Sequence, residues 1–167
     1  MLVALADTHG RTDLRLTDHL REVVAAADCV LHAGDFTSAA VLDSFADLAD
    51  QFVAVHGNSD DAAVQARLPA VETVEAFERR LLLVHGHEHD RTALSLLARQ
   101  ERADVVVLGH THAPGTEELG ELTVVTPGSH ADPRRSRPAY ATFEGGADGP
   151  RGRLRTPDGE PFVAVQL

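Results

Sequence analysis

Asp104-Val105-Val106-Val107-Leu108-Gly109-His110-Thr111-His112 decides how this chain is read. Three consecutive β-branched valines and a leucine form a short, unbroken apolar run, the pattern of a strand buried on both faces, as in a parallel sheet. The run stops abruptly at Gly109, which permits a tight exit from the strand. His110 and His112 then follow at a spacing that lets two imidazoles point into one space from an irregular loop. Neutral imidazole is a common metal ligand. By itself a Gly-His-Thr-His tetrapeptide is equally well ordinary loop polarity, so its meaning rests on whether other parts of the chain supply partner ligands.

They do, and each time after the same kind of segment. Residues 2–6 are an apolar run that breaks into Asp7-Thr8-His9-Gly10. Leu14, Leu16, Leu20, Val23, Val24 and Ala27 then have the spacing of an amphipathic helix over residues 12–27. A second strand over residues 29–32 closes on Ala33-Gly34-Asp35, and Val41, Leu42, Phe45 and Leu48 mark a second helix. A third strand over residues 52–55 closes on His56-Gly57-Asn58-Ser59-Asp60. Strands alternating with helices imply a parallel sheet with right-handed crossovers, and in such sheets ligands collect outside the carboxyl ends of the strands. The three strand ends should therefore lie side by side.

The pattern then changes. Residues 70–76 and 79–84 read as strands with no helix between them, an antiparallel pair whose second member exits into His85-Gly86-His87-Glu88-His89. A third helix through Leu94, Leu96, Leu97 and Ala98 delivers the chain to the 104–112 stretch. Residues 121–126 form a further strand, in a hairpin with 116–119 around Gly120, followed by a loop through Pro127-Gly128-Ser129-His130 and Arg134, Arg135 and Arg137. Strands over 139–144 and 162–166 close the chain, joined by a Gly/Pro-rich turn region, 145–159, whose middle is available for pairing.

Length and composition fit one domain spanning residues 1–167. Aromatic residues are only 4% of a chain that is 43% hydrophobic, so the core is built mainly from Val, Leu and Ala. The single cysteine, Cys29, cannot form an internal disulfide and fits a reducing compartment as a buried, inert thiol. The first residues lack a basic segment, and no run approaches the length of a membrane span, so a cytoplasmic protein with no membrane partner is expected. Fifteen basic residues, all of them arginine, stand against 26 acidic ones, a net charge of −11. Such a surface repels a bare phosphate backbone and disfavours nucleic acid as a partner. The absence of lysine and excess of carboxylates also suit a salt-rich cytoplasm, in which ionic strength screens self-repulsion.

Across the strand ends the candidate ligands are Asp7, His9, Asp35, Asn58, His85, His110 and His112. Carboxylate and amide oxygens mixed with imidazole nitrogens, without thiolate, suit Mn²⁺, Fe²⁺, Zn²⁺ or Ni²⁺ rather than a structural zinc site. Seven ligands are too many for one tetrahedral ion; with one carboxylate bridging they serve two ions of four protein ligands each. That is the arrangement of two-metal hydrolysis, with ions about 3.5–4 Å apart clamping attacking and leaving oxygens.

Taken in order, Asp7-Thr8-His9, Gly34-Asp35, Gly57-Asn58, His85-Gly86-His87 and Gly109-His110-Thr111-His112 resemble the motifs of the calcineurin-like metallophosphoesterases. Asn58-Ser59-Asp60, the short length and Thr126-Pro127-Gly128-Ser129 resemble the small single-domain phosphodiesterase branch often called YfcE-like, over residues 2 to about 144. The resemblance implies an α/β fold, a four-layer α-β-β-α sandwich of two mixed β-sheets flanked by helices. It implies two divalent metal ions, Mn²⁺ first, with Asp7, His9, Asp35 and His112 on one, and Asp35, Asn58, His85 and His110 on the other. A hydroxide bridging the ions would attack phosphorus of a small phosphate ester, most simply a diester. Many relatives carry His directly after the motif asparagine; here Ser59 stands there, and His87 is the candidate to protonate the leaving group.

Other polar residues have plainer readings. His32 and His56 sit inside apolar runs as core residues or supports that orient ligands. His19 and His89 are read as solvated, and Asp60 and Asp61 as caps of the next helix, with Asp60 also able to steady the loop around Asn58. Arg11 and His130 are read as surface groups on the rim of the site, within reach of a substrate phosphate. The alternative to an enzyme is a protein-binding scaffold of the same fold, like the retromer subunit that resembles this branch; a complete ligand set argues against it. A homo-oligomer remains open at this level.

Overall fold

The computed structural model describes residues 1–146 and 149–167; of the 145–159 turn region, positions 147 and 148 lie outside the described residues. The elements run β1 (Leu2–Leu5), α1 (Asp18–Ala25), β2 (Cys29–His32), α2 (Ala39–Leu48), β3 (Phe52–Ala54), α3 (Ala62–Gln65), β4 (Val71–Ala76) and β5 (Arg79–Val84). They continue through α4 (Arg91–Glu101), β6 (Val105–Leu108), β7 (Gly115–Leu119), β8 (Leu122–Thr126), β9 (Tyr140–Glu144), β10 (Arg151–Arg155) and β11 (Pro161–Gln166).

Two mixed sheets result, one ordered β11-β10-β9-β1-β2-β3 and the other β4-β5-β6-β8-β7. The parallel strands β1, β2 and β3 lie at one side of the first sheet, and β5, β6 and β8 are parallel in the second. The antiparallel β4–β5 pair and β7–β8 hairpin form as the sequence indicates.

Side-chain alternation stacks the layers. In β6, Val105 and Val107 point into the apolar layer between the sheets while Val106 packs toward α4. Leu81 and Leu83 do the same in β5, with Leu82 and Val84 on the α4 side. In β1, Leu2 and Ala4 join the inter-sheet layer, and Val3 and Leu5 pack with residues of α1 and α2. Each buried valine or leucine contributes about 1.5–3 kcal/mol, and a strand with both faces covered collects it at every position, which is why these runs are unbroken. The result is the expected four-layer α-β-β-α sandwich.

Two local readings need correction and one left open is settled. The helix expected over 12–27 begins only at Asp18. Asp13 accepts the Arg15 N–H at 2.8 Å, holding that segment in a turn, and Thr17 accepts the Leu20 N–H at 3.2 Å as the N-cap that starts the helix at Asp18. The middle of the 145–159 region does pair, as the strand β10 between β9 and β11. Cys29 is half-buried rather than buried, and what burial it has raises its thiol pKa. No helix of the described residues is long and apolar enough to cross a membrane.

Candidate metal centre

The carboxyl ends of β1, β2, β3, β5 and β6 open on one edge of the sandwich, and there the seven candidate residues converge. Asp7 and His112 are 105 positions apart in sequence, yet the His112 Nε2 lies 3.6 Å from the Asp7 Oδ1. The two sheets meet closely here: a Cβ on Gly109 would lie 2.6 Å from the Ala33 carbonyl oxygen and 2.8 Å from the His85 Nδ1, so no larger residue fits.

Asp7, Asp35, His85 and His112 are buried and form the floor; His9 is half-buried, while Asn58 and His110 are exposed at the rim. The Asp35 Oδ2 stands 3.4 Å from both the His9 Nε2 and the His85 Nε2. The Asn58 Oδ1 is 3.1 Å from the His85 Nε2, and the His9 and His112 Nε2 atoms are 3.2 Å apart, with their rings stacked. The His110 ring lies edge-on to His85 at 5.3 Å. Two sets of donor atoms are close enough for one ion each: Asp7, His9 and His112, and Asp7, Asp35 and His85. Asp7 is common to both, and Asp35 touches a histidine of each.

The backbone is bent to make this cluster. Asp7, His9, Asp35, His110 and His112 all have positive φ, between 46° and 69°. Left-handed backbone at a residue other than glycine costs of order 1–3 kcal/mol and persists where the surroundings impose it, commonly at functional sites.

Supporting bonds orient the rings. His85 Nδ1 donates to the Ala33 carbonyl at 2.7 Å and His112 Nδ1 donates to the Asp132 carbonyl, so each imidazole turns its Nε2 inward. Ser129, fully buried, donates to the Asp7 carbonyl at 2.6 Å and accepts the Asp132 N–H at 2.8 Å. Thr8 shares a 2.8 Å hydrogen bond with the His32 Nε2, and His32 itself is stacked on Phe36, a buried support as expected. Asp61 caps α3 through the Val64 N–H, while Asp60 takes the second role read for it and steadies the loop around Asn58: its carboxylate accepts the N–H groups of Asp35, Thr37 and Gly57 at 3.0, 2.7 and 2.7 Å. The sequence offers Ser129 only as part of the family-like Thr126-Pro127-Gly128-Ser129 segment and does not mark Asp132, because the Asp7 and His112 groups they hold are 122 and 20 positions away.

Electrostatically the cluster is primed for cations. Burial pushes the Asp7 carboxyl up to about 6, against the pull of His85 and His112. Burial also acts to raise Asp35, but the hydrogen bond and charge of His85 and the Ser59 N–H outweigh it, and this carboxyl falls well below the usual range. His85 is raised by Asp35 despite its burial. His9, His87 and His110 are lowered, burial being the largest cause in each, which favours the neutral imidazole that a metal needs. The donor set fits divalent ions on one further ground: the Asp7 Oδ2 is buried with no hydrogen-bond partner, an unsatisfied carboxylate oxygen.

His87 is exposed, its ring 5.3 Å from His85 and 6.2 Å from His110. His130 departs from its rim reading: it is buried, its Nε2 donates to the Leu14 carbonyl at 3.0 Å, and burial pushes its pKa down to about 4. It ties the loop after β8 to the segment before α1, and the apolar surroundings of both remove it from solvent. Arg11 is exposed, as read. His89, read as solvated, is half-buried, with its Nδ1 out of solvent.

A fold of two mixed sheets with this cluster at their shared edge defines a class, and comparison with known proteins agrees. Residues 1–147 match the model of the calcineurin-like phosphoesterase superfamily domain, and the chain belongs to that superfamily. It is 34% identical over 158 residues to the phosphodiesterase YfcE of Escherichia coli, covering 83% of each chain. A probable metallophosphoesterase of Methanocaldococcus jannaschii is 36% identical over 111 residues, 64% of this chain and 55% of that protein, so this match spans about half of the relative's length. In fold, the chain is similar to a zinc-complexed Vps29 of Entamoeba histolytica, with a TM-score of 0.78 at 23% identity over 98% of this chain and 97% of that one.

Proposed function

We propose that this chain is a dinuclear-metal phosphodiesterase acting on small phosphate esters. The observation that carries the reading is the placing of Asp35, whose Oδ2 is 3.4 Å from a histidine of each half of the cluster. Asp7, His9, Asp35 and His112 would hold one ion and Asp35, Asn58, His85 and His110 the other, with manganese as the first choice. When bound, such ions offer Lewis acidity and lower the pKa of coordinated water.

The protein's own contributions follow from the geometry. Asp7 and Asp35 supply buried negative charge, and the Asp132 and Ala33 carbonyls fix which imidazole nitrogen faces inward. His87, exposed beside His85 and His110, is the group in position to give a proton to a departing alkoxide, the role that Ser59 cannot take. Family membership and the similarity to YfcE support the diester reading. The open rim, with Asn58 and His110 exposed, suits a substrate small enough to reach the floor.

The deciding experiment strips the purified protein of metal, restores Mn²⁺, Ni²⁺ or Zn²⁺ in high salt, and follows paired chromogenic phosphate mono- and diesters. Metal-restored diester turnover is expected. Metal uptake with neither ester hydrolysed would overturn the enzyme reading in favour of a protein-binding scaffold, the reading that the likeness to Vps29 keeps in view.

A further inference from the structure

Two of the loops that carry candidate ligands have a second, apolar side. A cavity of about 440 Å³ lies on the α4 side of the second sheet, lined by Leu94 of α4, by Leu108, Leu119 and Val124 of the strands, and by Ala113 and Pro114 of the loop after β6. Leu108 is common to the cavity and the metal centre. A Cβ on Gly86 would lie 2.4 Å from the Leu108 Cδ1, so this side chain packs directly under the loop that runs from His85 to His87. Thr111 is the other shared wall. Its chain neighbours are His110 and His112, one ligand of each proposed ion, with about 3.8 Å between successive Cα atoms. Its hydroxyl is engaged within its own loop, accepting the Ala113 N–H and donating to the Ala113 carbonyl, both at 3.3 Å.

Such a recess is out of character for this surface. The chain has a net charge of −11, and among the described residues Leu96 is the one large hydrophobic side chain that stands exposed. Leu94 and Val124 are core residues of the α4 layer, and the recess reaches both. Its one arginine already faces an anion: Arg91 pairs with Glu117 at 2.8 Å, and both residues belong to the lining. Asp90, also in the lining, caps α4 through the Ala93 N–H. Apolar walls with more carboxylate than guanidinium at their edge accept an uncharged apolar group and reject a second phosphate or carboxylate.

We infer that this cavity is the subsite for one alcohol of the ester, and that this alcohol is apolar, an aryl or branched alkyl group. The phosphate stands at the exposed rim beside His110, and the apolar arm crosses Thr111 into the recess. This rests on the phosphoesterase reading and adds to it the substrate class: diesters with one bulky apolar alcohol, in preference to esters that carry a second charge.

The test is calorimetric binding of benzylphosphonate and methylphosphonate, neither of which can be hydrolysed, to the manganese-loaded protein. The parent should bind benzylphosphonate about tenfold more tightly or better, the scale of burying part of one ring. Gly115 offers a way to fill the recess. It belongs to the lining, its φ lies outside the left-handed region, and a Cβ there meets no atom within 4 Å. Gly115→Leu should therefore remove most of the preference through weaker benzylphosphonate binding alone, and Gly115→Ala little of it. Glu118→Leu adds apolar bulk on the other face of β7, outside the lining, and should change nothing. Manganese content should be the same in all four proteins. Equal binding of the two phosphonates by the parent, which needs no variant to fold, or a preference that Gly115→Leu leaves intact, would overturn the inference and leave the enzyme reading standing. A parent protein that takes up manganese but binds neither phosphonate and turns over no ester would overturn both.

Discussion

Replacing Asp60 with asparagine tests how the strand-end loops are held. The buried carboxylate accepts three backbone N–H groups: those of Asp35 and Gly57 share the Oδ2 at 3.0 and 2.7 Å, and that of Thr37 takes the Oδ1 at 2.7 Å. Asparagine keeps one carbonyl oxygen, which can serve the shared pair, but its amide nitrogen then faces the Thr37 N–H, donor against donor. Loss of one charge-assisted bond plus a poorly satisfied donor costs about 2–3 kcal/mol. Alanine strands all three donors and costs about twice that, a large part of the ~5–15 kcal/mol that a domain has in total, so asparagine is the informative variant. The assay is urea unfolding followed by circular dichroism in the presence of chelator, so that bound metal does not add to stability. Manganese affinity is then measured on the same variant. Because the Asp35 and Gly57 N–H groups set the positions of Asp35 and Asn58, affinity should fall about 10–100-fold, as it does when groups that orient ligands are removed. A variant within about 0.5 kcal/mol of the parent, the range of an ordinary surface substitution, and with parental manganese affinity would refute the reasoning.

Other perturbations have equally definite outcomes. Asp35→Asn removes the charge placed between His9 and His85, and should lose both metal, by elemental analysis, and turnover, by about 10²-fold or more; unchanged activity would sink the two-ion scheme. His87→Ala should lower turnover of esters with poor leaving groups by about 10²–10⁴-fold while sparing metal content, and should matter far less for an activated leaving group. Burial holds His130 near 4, below its ordinary 6.5, so the unfolded chain binds the proton more readily; its contribution to stability is complete above pH 6.5 and is lost as pH falls toward 4, to about 3 kcal/mol. Asp7, raised to about 6, works in the opposite sense over an overlapping range, so the His130 effect is read as the difference in pH–stability slope between the parent and His130→Gln. Finally, a net charge of −11 should make the urea midpoint rise with KCl, since the screening length falls from about 10 Å at 0.1 M to about 3 Å at 1 M; stability indifferent to molar KCl would remove the salt-rich reading of the composition.

What the sequence by itself determined is the order of the elements and the chemistry at their ends. Unbroken apolar runs such as Val105–Val107 demand burial on both faces, and that demand is local, as is the break each run makes into Asp, Asn or His. The parallel β1, β2 and β3, the β4–β5 pair and the carboxylate, amide and imidazole groups gathered at the strand ends follow from it. The tertiary structure alone decided how two sheets close face to face and bring His112 within 3.6 Å of Asp7. It also decided which polar groups lose their water. His130 reads as a rim residue and is buried; Asp60, read as a helix cap also able to steady the loop around Asn58, does the second and adds the Asp35 and Thr37 amides; and Ser129, read only within a family-like segment, and Asp132, not singled out, hold Asp7 and His112. Short-range pattern fixes whether a segment is a strand; which hydrogen-bond partner a loop residue finds depends on other loops that the fold brings beside it, and the free energy of burying a polar group, hence its role, is set only when that partner arrives.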